Sequence, residues 1–271
     1  MSFDKLFLDM YDHLFEDINF LCNSEVRLKI LKSLDESPKT MRELNDLVLL
    51  SYSSISNNLN KLVSEGFLVK KERKFYLTNI AYLNLVNYMG FDNSIKVTNF
   101  LADFLVNHDI SPLLDDSLRD LSDLDGSRLV ESTSIDIYKP HNEFKNLLGA
   151  ANILQIILPY LHPDYPSLIK DLLLKEVSID LLINKDILEK FMGDVGNDII
   201  QNAISEGFLT IKYLVQPLKL ALAVSDDFVA IGLFKKDGNF DQNRLIVSDV
   251  EKSIEWGNKL FEKHSSKGLF L

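Results

Sequence analysis

The sequence contains a single cysteine, Cys22, and no run of 18 or more consecutive apolar residues. One cysteine excludes an internal disulfide, and no grouping of cysteines and histidines suggests a structural zinc site. Without a long apolar run, no transmembrane helix and no membrane role are expected. The first residues, MSFDKLFLDMYDHLFED, are acidic and lack the basic segment that begins a secretory signal, so a cytoplasmic protein is expected.

Charge is distributed unevenly along the chain, which has a formal net charge of −11 over 271 residues. Residues 20–80 contain ten basic and seven acidic side chains, a net charge of +3, so the remaining 19 basic and 33 acidic side chains amount to −14. A mildly basic segment attached to a strongly acidic body is typical of a DNA-binding domain joined to a domain that does not bind DNA. Chance asymmetry is the alternative, and charge alone does not decide between them.

Three helices are predicted between residues 24 and 66. The first begins at Ser24 as N-cap and has apolar residues at helical spacing: Val26, Ile30, Leu31 and Leu34. The second begins at a capping box formed by Thr40 and Glu43. The third stops at Gly66 and has four apolar side chains that are expected to face inward: Ile55, Leu59, Leu62 and Val63. Two short strands, 67–70 and 74–78, then form a hairpin with a charged tip, which completes a winged helix-turn-helix arrangement.

The third helix and the hairpin carry the residues expected to bind DNA. The outward face of the helix is polar and able to reach base edges or phosphate oxygens through Ser53, Ser54, Ser56, Asn57, Asn60 and Lys61. The hairpin has four cations suited to phosphate contact: Lys70, Lys71, Arg73 and Lys74. The alternatives are that the helix face is polar only because it is solvated and that the hairpin tip is charged only to keep it hydrated. Helix order, spacing and the wing together favour DNA contact.

Residues 24–78 resemble the winged helices of archaeal regulators in the broad arsenic-repressor-like group. The resemblance is carried by SISNNL on the third helix, by the LVSEGFL that follows and by the closing FYLT. It implies a DNA-binding fold. The cysteines with which metal-responsive members sense their metal are absent, so the resemblance implies no metal sensor.

Residues 79–106 are predicted to be helical, with an interruption near MGFDNS (89–94). Apolar residues occur on both sides of this break: Leu83, Val86, Tyr88, Met89, Val97, Phe100, Leu101, Phe104 and Leu105. This content exceeds what a solvated linker needs, so residues 79–108 are expected to join two copies in a homodimer, with the four residues Phe100, Leu101, Phe104 and Leu105 as the buried seam. Packing back onto the chain's own domain is the alternative. The aspartate-rich stretch 115–125 is expected to be a solvated entry to the next domain.

From about residue 128, apolar strand-like runs alternate with helical segments. The runs are 128–133, 152–160, 177–183, 209–215, 218–224 and 228–234, and the helical segments are 141–150, 166–175, 186–206 and 249–264. A hairpin is expected to turn at 225–227, and the glycines at 193 and 196 mark a helix-helix connection. The expected fold class is α+β: a winged helix-turn-helix domain (1–78), a helical linker (79–108) and a mixed α/β sheet domain (109–271) with both sheet faces covered.

Three stretches of this second half, ILPYLHPDYPSL, LKLALAVSDDFVAIGLFKKDG and EWGNKLFEKH, are similar to the C-terminal domain of archaeal regulators linked to methanogenesis control, which resembles the phospholipase-D-like fold. Enzymes of that fold need a His-x-Lys pair whose histidine attacks phosphorus. The corresponding region reads Pro217-Leu218-Lys219-Leu220, and the five histidines are scattered without forming such a pair: His13, His108, His141, His162 and His264. Phosphate-loop, dinucleotide-binding and HExxH motifs are absent as well. No catalytic residue, cofactor or metal is expected.

Open α/β sheets bind ligands at the carboxyl ends of their strands. By this rule Tyr160, His162, Asn184 and Lys219 are expected to line a pocket for a small-molecule effector. A domain that only oligomerises and binds no ligand is the alternative.

The expected function is that of a DNA-binding transcriptional regulator, a homodimer on double-stranded DNA that responds to a small-molecule effector. Two alternatives from other classes are a phospholipase-D-like enzyme fused to a DNA-targeting head and a protein-interaction adaptor. The missing His-x-Lys pair opposes the enzyme. Salt-dependent binding to promoter DNA separates the regulator from the adaptor, because neutralising phosphates releases counterions.

Overall fold

The computed structural model describes residues 19–49 and 51–271, and the chain divides into two compact units, 1–92 and 93–271. His13 lies outside the described residues. Among the described helices, none combines the length and the apolar character needed to cross a bilayer.

The first unit begins, after a helical segment that includes residues 19–22, with the three predicted helices, α1 (Glu25–Glu36), α2 (Met41–Val48) and α3 (Tyr52–Ser64). Their starts follow the predicted capping chemistry. The Ser24 side chain accepts a hydrogen bond from the Arg27 amide, and both halves of the capping box between Thr40 and Glu43 are formed. Helix α3 begins one residue earlier than predicted because Ser51 is its N-cap.

The hairpin of the first unit belongs to a three-stranded antiparallel sheet. Strands β2 (Leu68–Lys71) and β3 (Lys74–Leu77) pair through a two-residue turn, and the unpredicted short strand β1 (Lys39–Thr40) pairs with β3 on its other side. Gly66, with φ +76°, ends α3 and leads into β2, as predicted. Strand β1 attaches the hairpin to the segment between α1 and α2.

The predicted core of the first unit is confirmed with one exception. Its fully buried side chains come from all three helices and the hairpin, among them Ile30, Leu31, Leu44, Ile55, Leu59, Leu62 and Leu68. The prediction that Val63 faces inward is wrong, since 37% of this residue is exposed. Ile55, Leu59 and Leu62 form the inward stripe at spacings of four and three, and Val63 lies one position beyond its edge.

Residues 79–100 form one uninterrupted helix, α4 (Asn79–Phe100), so the predicted break at 89–94 is wrong. Near its start Ala81 and Leu85 are buried in the core of the first unit, and near its end Val97 is buried in the core of the second. Burial at both ends outweighs the weak helix propensity of Gly90, which costs roughly 1 kcal/mol relative to alanine.

A short helix, α5 (Ala102–Asn107), follows α4 within the second unit. Leu101 and Phe104 are almost fully buried in the core of this unit, Leu105 packs against it, and Phe100 is 48% exposed. The prediction that these residues form a seam between two copies is therefore wrong for Leu101 and Phe104, whose surfaces are already covered by their own chain.

The second unit is built on an eight-stranded mixed sheet. Its strands are β4 (Arg128–Glu131), β5 (Ile153–Leu158), β6 (Ser178–Asn184), β7 (Leu209–Leu214), β8 (Leu220–Val224), β9 (Val229–Leu233), β10 (Arg244–Ser248) and β11 (Leu269–Phe270), in the order β11-β7-β6-β5-β8-β9-β10-β4. Strands β5, β6 and β7 are parallel, and the other pairings are antiparallel. The predicted hairpin between β8 and β9 is confirmed, and β10 and β11 were not predicted.

Helices cover both faces of this sheet, as predicted. Helices α7 (Lys139–Ala150), α8 (Tyr165–Leu173), α9 (Lys185–Val195) and α10 (Asn197–Ser205) supply side chains to one core, and α5 and α11 (Glu251–Ser265) supply the other. Gly196, with φ +107°, separates α9 from α10, which confirms the predicted connection.

The aspartate-rich stretch 115–125, which includes the short helix α6 (Asp115–Arg119), is packed against α11, so the prediction of a solvated entry is wrong for its backbone. The indole of Trp256 donates to the Ser117 carbonyl at 2.8 Å, and the Ser253 hydroxyl donates to the Asp123 carbonyl at 2.7 Å. These bonds fix the segment over the second core.

Candidate nucleic-acid interface and a cavity in the second unit

Helix α3 presents a polar face to solvent. The side chains of Ser53, Asn57, Asn60 and Lys61 are exposed, and those of Ser54 and Ser56 are half-buried. The inward stripe of Ile55, Leu59 and Leu62 fixes this orientation, because residues on the opposite side of the helix must then point outward. All six predicted DNA-contact positions of the helix thus lie on or beside one accessible face.

Asn58 lies on the same helix but has a structural role. Its side-chain amide donates to the Ser54 carbonyl at 2.8 Å, and its Oδ1 atom accepts from the Ser24 hydroxyl at 3.4 Å. Because Ser24 is also the N-cap of α1, Asn58 connects the start of α1 to α3. This connection helps to hold α3 in place within the unit.

The tip of the wing is exposed, cationic and strained. All four predicted phosphate-contact residues, Lys70, Lys71, Arg73 and Lys74, are exposed. The two turn residues, Glu72 and Arg73, have φ of +48° and +71°, as in a type I′ turn, where Asn-Gly is preferred. Left-handed backbone costs an L-residue about 1–2 kcal/mol. The turn therefore keeps a charged arginine where glycine would be more stable.

Three other basic residues of the first unit are engaged within the fold. The Lys39 ammonium donates to the Ser33 carbonyl at the end of α1, Lys29 forms an ion pair with Glu25, and the Arg27 guanidinium lies 4.4 Å from the centre of the Phe20 ring. By contrast, in residues 19–49 and 51–271 no carboxylate oxygen lies within 4.0 Å of a wing cation. Among the described residues, Lys32, Arg42 and Lys61 are likewise exposed and take part in no ion pair, and the wing adds four exposed cations within five positions of the chain.

The second unit contains a cavity of about 190 Å³ at the carboxyl end of β5. Its walls are largely aromatic, with Tyr138, Phe144, Tyr160, Tyr165 and Phe240. Polar groups are supplied by His141, His162, Gln242 and Asn243. The hydroxyls of Tyr160 and Tyr165 lie 3.1 Å apart, and burial raises the pKa of both phenols, so they are neutral hydrogen-bonding groups.

Two of the four residues predicted to bind an effector, Tyr160 and His162, line this cavity. Asn184 is buried outside it, where its amide donates to the Pro159 carbonyl and accepts from the Leu218 amide, both at 3.0 Å. Lys219 lines a separate depression, with its ammonium 3.9 Å from an oxygen of Asp109. The structure therefore does not bring Asn184 and Lys219 together with the other two.

A polar cluster at the cavity was missed in the sequence, where the histidines were expected to be scattered. The Nε2 atom of His141 lies 3.2 Å from Oδ2 of Asp164, and the Lys145 ammonium lies 2.7 Å from the same oxygen. The Asp164 amide donates to Nδ1 of His162 at 3.2 Å, and the two imidazole rings are 3.9 Å apart. Helix α7 carries His141 and Lys145, and the loop after β5 carries His162 and Asp164.

The electrostatics of the cluster follow from these contacts. Hydrogen bonds from Lys145 and then His141 lower the pKa of the Asp164 carboxyl to about 2, so it is ionised. Burial, followed by the proximity of His141, lowers the pKa of His162, which favours a neutral imidazole. One ring nitrogen from each histidine and one Asp164 oxygen lie within 4.8 Å of one another, which is a set of ligands able to hold a metal ion.

The opposite wall of the cavity comes from the loop between β9 and β10. Phe240 of this loop packs against Tyr160, with ring centres 4.4 Å apart. Gly232 makes room for it, because a Cβ atom at that position would lie 2.8 Å from the Phe240 ring. Strand β9 thus requires glycine here for the cavity wall to close.

Comparisons with known proteins agree with this two-part organisation. Residues 15–96 match the family model for the N-terminal domain of the methanogenesis regulatory protein FilR1. Residues 137–267 match the model for the middle domain of the same protein. The FilR1 protein of Methanothrix harundinacea (strain 6Ac) is 23% identical over 256 residues, which are 92% of this chain and 57% of that protein. The chain therefore spans little more than half the length of this relative.

Among solved structures, TrmBL2, an archaeal chromatin protein described as binding DNA, is 16% identical, with a TM-score of 0.43 over 96% of this chain and 99% of that one. The phosphatidylserine synthase of Haemophilus influenzae Rd KW20 is 11% identical, with a TM-score of 0.40 over 54% of this chain and 39% of that one. At these scores neither likeness establishes a shared fold. Over most of its length, the chain is similar in sequence to methanogenesis regulatory proteins of the FilR1 type.

Proposed function

We propose that the chain is a DNA-binding transcriptional regulator, in which the first unit binds double-stranded DNA and the second binds a small-molecule effector. The observation that carries the proposal is the exposed polar face of α3 in the same unit as a wing with four exposed cations. A recognition helix reads base edges in the major groove, and contacts to phosphate fix its position. The similarity to a protein named as regulatory supports the same role.

On DNA, the two surfaces have different tasks. Asn57 and Asn60 are exposed amides, which pair well with the edge of adenine, and the serines at the start of α3 can donate to bases or phosphates. The wing cations contact phosphate and so contribute affinity without sequence preference. Specificity thus depends on α3, and general affinity depends on the wing.

A homodimer would place two such heads on one DNA site. A head with a net charge of +3 neutralises few phosphates, so a single copy binds weakly at physiological salt. Helix α4 supplies the contact surface in this proposal. It exposes many apolar side chains: Ile80, Tyr82, Leu83, Val86, Met89, Phe91, Ile95 and Phe100. A helix that is apolar on most sides is normally covered, and a second copy of α4 would cover it.

The cavity beside β5 supports effector binding. Its volume is smaller than the roughly 300–1,000 Å³ of pockets for drug-sized ligands, so the effector would be small. The aromatic walls favour a partly apolar molecule, and the imidazole, phenol and amide groups would orient it. Thermal stabilisation of the protein by members of a metabolite library should be lost in Tyr160→Ala and kept in Tyr52→Ala, a tyrosine 62% exposed in the first unit.

The decisive experiment recovers genomic fragments bound by the purified full chain at two salt concentrations. A regulator should enrich one palindromic sequence whose half-sites are about 34–36 Å apart or a multiple of that distance. Binding should weaken steeply with salt. Recovery of no enriched sequence, together with binding that does not depend on salt, would contradict the proposal and favour the protein-interaction adaptor.

A further inference from the structure

We propose that His141, His162 and Asp164 form a binding site for a divalent transition-metal ion at the rim of the cavity in the second unit. This site does not depend on DNA binding, so its failure would leave the proposed regulatory role standing. The comparisons and the sequence motifs assign no metal to this part of the chain.

The spacing of the three side chains suits a first-row metal. Zinc binds imidazole nitrogen and carboxylate oxygen at about 2.0–2.2 Å, which puts tetrahedral ligands about 3.3 Å apart. His141 Nε2 and Asp164 Oδ2 are already 3.2 Å apart, and all three ligand atoms lie within 4.8 Å of one another. Because His162 is only partly buried, a rotation of its ring can shorten the remaining distances. Imidazole with carboxylate favours zinc, cobalt or nickel over magnesium or calcium.

The other two described histidines show what purely structural histidines look like in this fold. His108 is buried with both ring nitrogens bonded, to the Phe104 carbonyl and to Asp241, and His264 is buried with a bond to the Pro112 carbonyl. By contrast, His141 and His162 are half-buried and line a cavity, and one ring nitrogen of each lies within 4.8 Å of the same Asp164 carboxylate oxygen. Solvent can deliver an ion to this pair.

Lys145 forms an ion pair with the Asp164 carboxylate when no metal is bound. Its ammonium is 2.7 Å from Asp164 Oδ2, and it lies one helical turn after His141 on α7. Its side chain is 36% exposed, so it can move into solvent when a metal ion takes its place. The ion also replaces one long hydrogen bond, the 3.2 Å bond from the Asp164 amide to Nδ1 of His162.

Three protein ligands leave the fourth tetrahedral position open. Both histidines line the cavity, so this position faces the cavity and would hold water or a polar group of a bound molecule. An open position distinguishes this site from a closed structural zinc site.

The test uses the full chain with Cys22 replaced by serine, because an exposed free cysteine is able to bind the same metals. After treatment with a chelator, the protein is titrated with Zn²⁺ by calorimetry and with Co²⁺ by visible absorption. The expected result is one ion per chain, a higher melting temperature with metal, and a dissociation constant at least tenfold larger in each of His141→Ala, His162→Ala and Asp164→Asn. The asparagine variant keeps the size of the side chain, and metal-free melting checks that every variant is folded.

Lys145→Gln provides the second arm of the test. It removes the competing cation and should tighten Zn²⁺ binding by about fivefold, the range of an exposed ion pair. Lys190→Gln is the matched control, since Lys190 makes a similar exposed ion pair at 2.8 Å with Asp194 on α9, and should change nothing. Absence of one-to-one binding in both the parent and Lys145→Gln would overturn the site, as would unchanged affinity in His162→Ala. If the affinity for Zn²⁺ is unchanged in Lys145→Gln while the other results are as expected, the metal site stands but the claim that the ion displaces Lys145 is overturned.

Discussion

The Nε2 atom of His108 lies 3.0 Å from the Oδ2 atom of Asp241, and both side chains are almost completely buried. His108 follows the end of α5, and Asp241 belongs to the loop that carries Phe240 into the cavity wall. Asp241 also accepts from the Asn243 amide at 3.1 Å, and the His108 ring stacks on Phe104. The cavity wall is therefore connected through one buried pair to the segment that continues from α4.

Removing Asp241 should destabilise the second unit. Asp241→Ala leaves the His108 ring buried with one nitrogen unpaired, and leaving a buried polar group without its hydrogen-bond partner costs about 1–3 kcal/mol. Urea denaturation should show a reduction in the free energy of unfolding of this order. Asp237→Ala in the same loop is the control, because Asp237 is exposed and should change stability by less than about 1 kcal/mol. Equal effects of both variants would contradict the importance of the pair.

The double variant Lys70→Ala/Arg73→Ala should weaken binding to all duplexes alike. Each lost phosphate contact lowers the slope of log affinity against log salt by about 0.9, so the slope should fall by up to about 1.8. Fluorescence anisotropy at several salt concentrations measures it. Lys175→Ala/Lys190→Ala removes the same charge from exposed positions of the second unit and should leave the slope unchanged. A full slope in the wing variant would show that the wing does not contact phosphate.

Asn57→Ala should change sequence preference more than general affinity. Asn57 is exposed on α3, and a good base contact contributes roughly 1–3 kcal/mol of discrimination. Ser54→Ala should have a smaller effect, because Ser54 is half-buried at the start of the helix. The measurement compares affinities for the operator and for random duplexes, with Ser64→Ala as a control near the other end of α3. An equal loss of affinity for both duplexes would indicate that Asn57 contacts the DNA backbone and not the bases.

Charges introduced on α4 should dissociate the proposed dimer. Ile80, Leu83 and Val86 repeat every three residues along one side of the helix, and all are exposed in a single chain. Light scattering at micromolar concentration should give twice the chain mass for the wild type and the chain mass for Leu83→Glu/Val86→Glu. Ile135→Glu, at a position 96% exposed outside α4, should remain dimeric. A monomeric wild type that binds a single half-site tightly would rule out the dimer.

Acid should destabilise the second unit through His264. Burial lowers the pKa of this imidazole below its ordinary value of 6.5, so below that pH the unfolded chain takes up the proton before the folded chain does. The free energy of unfolding should therefore fall as the pH drops from 7 toward 5. His264→Gln can still donate to the Pro112 carbonyl and should flatten this dependence, leaving the contribution of His162, which has the same sign. An unchanged pH profile in the variant would contradict the assignment.

Local features of the fold could be predicted because neighbouring residues determine them. The capping box of Thr40 and Glu43, the stop at Gly66 and the turn after Ser225 all depend on side chains within a few positions. The break expected near Gly90 was wrong because burial at both ends of α4 is a tertiary effect. Strand β10 could have been predicted from the apolar run at residues 245–247. This run is short and lies directly before the predicted helix 249–264, and it was not identified as a strand.

The candidate sites were predictable to different degrees for the same reason. The residues predicted to contact DNA lie on one helix and one hairpin, so the periodicity of the sequence was enough to predict that their side chains share an accessible face. The cluster of His141 and Asp164 forms only when α7 packs beside the loop after β5, and no spacing in the sequence reports that contact. Asn184 was correctly predicted to lie at the end of a strand. Its side-chain amide, however, is hydrogen-bonded to two backbone groups and does not line the cavity.

The continuity of α4 has a mechanical consequence. At 1.5 Å per residue, 22 helical residues form a rod about 33 Å long. A tilt of about 10° at one end of a stiff rod moves the other end by roughly 6 Å, nearly twice the 3.4 Å rise between base pairs. A helix that lacks the expected break can thus act as a lever arm, because a small tilt at one of its ends becomes a displacement of several ångströms at the other.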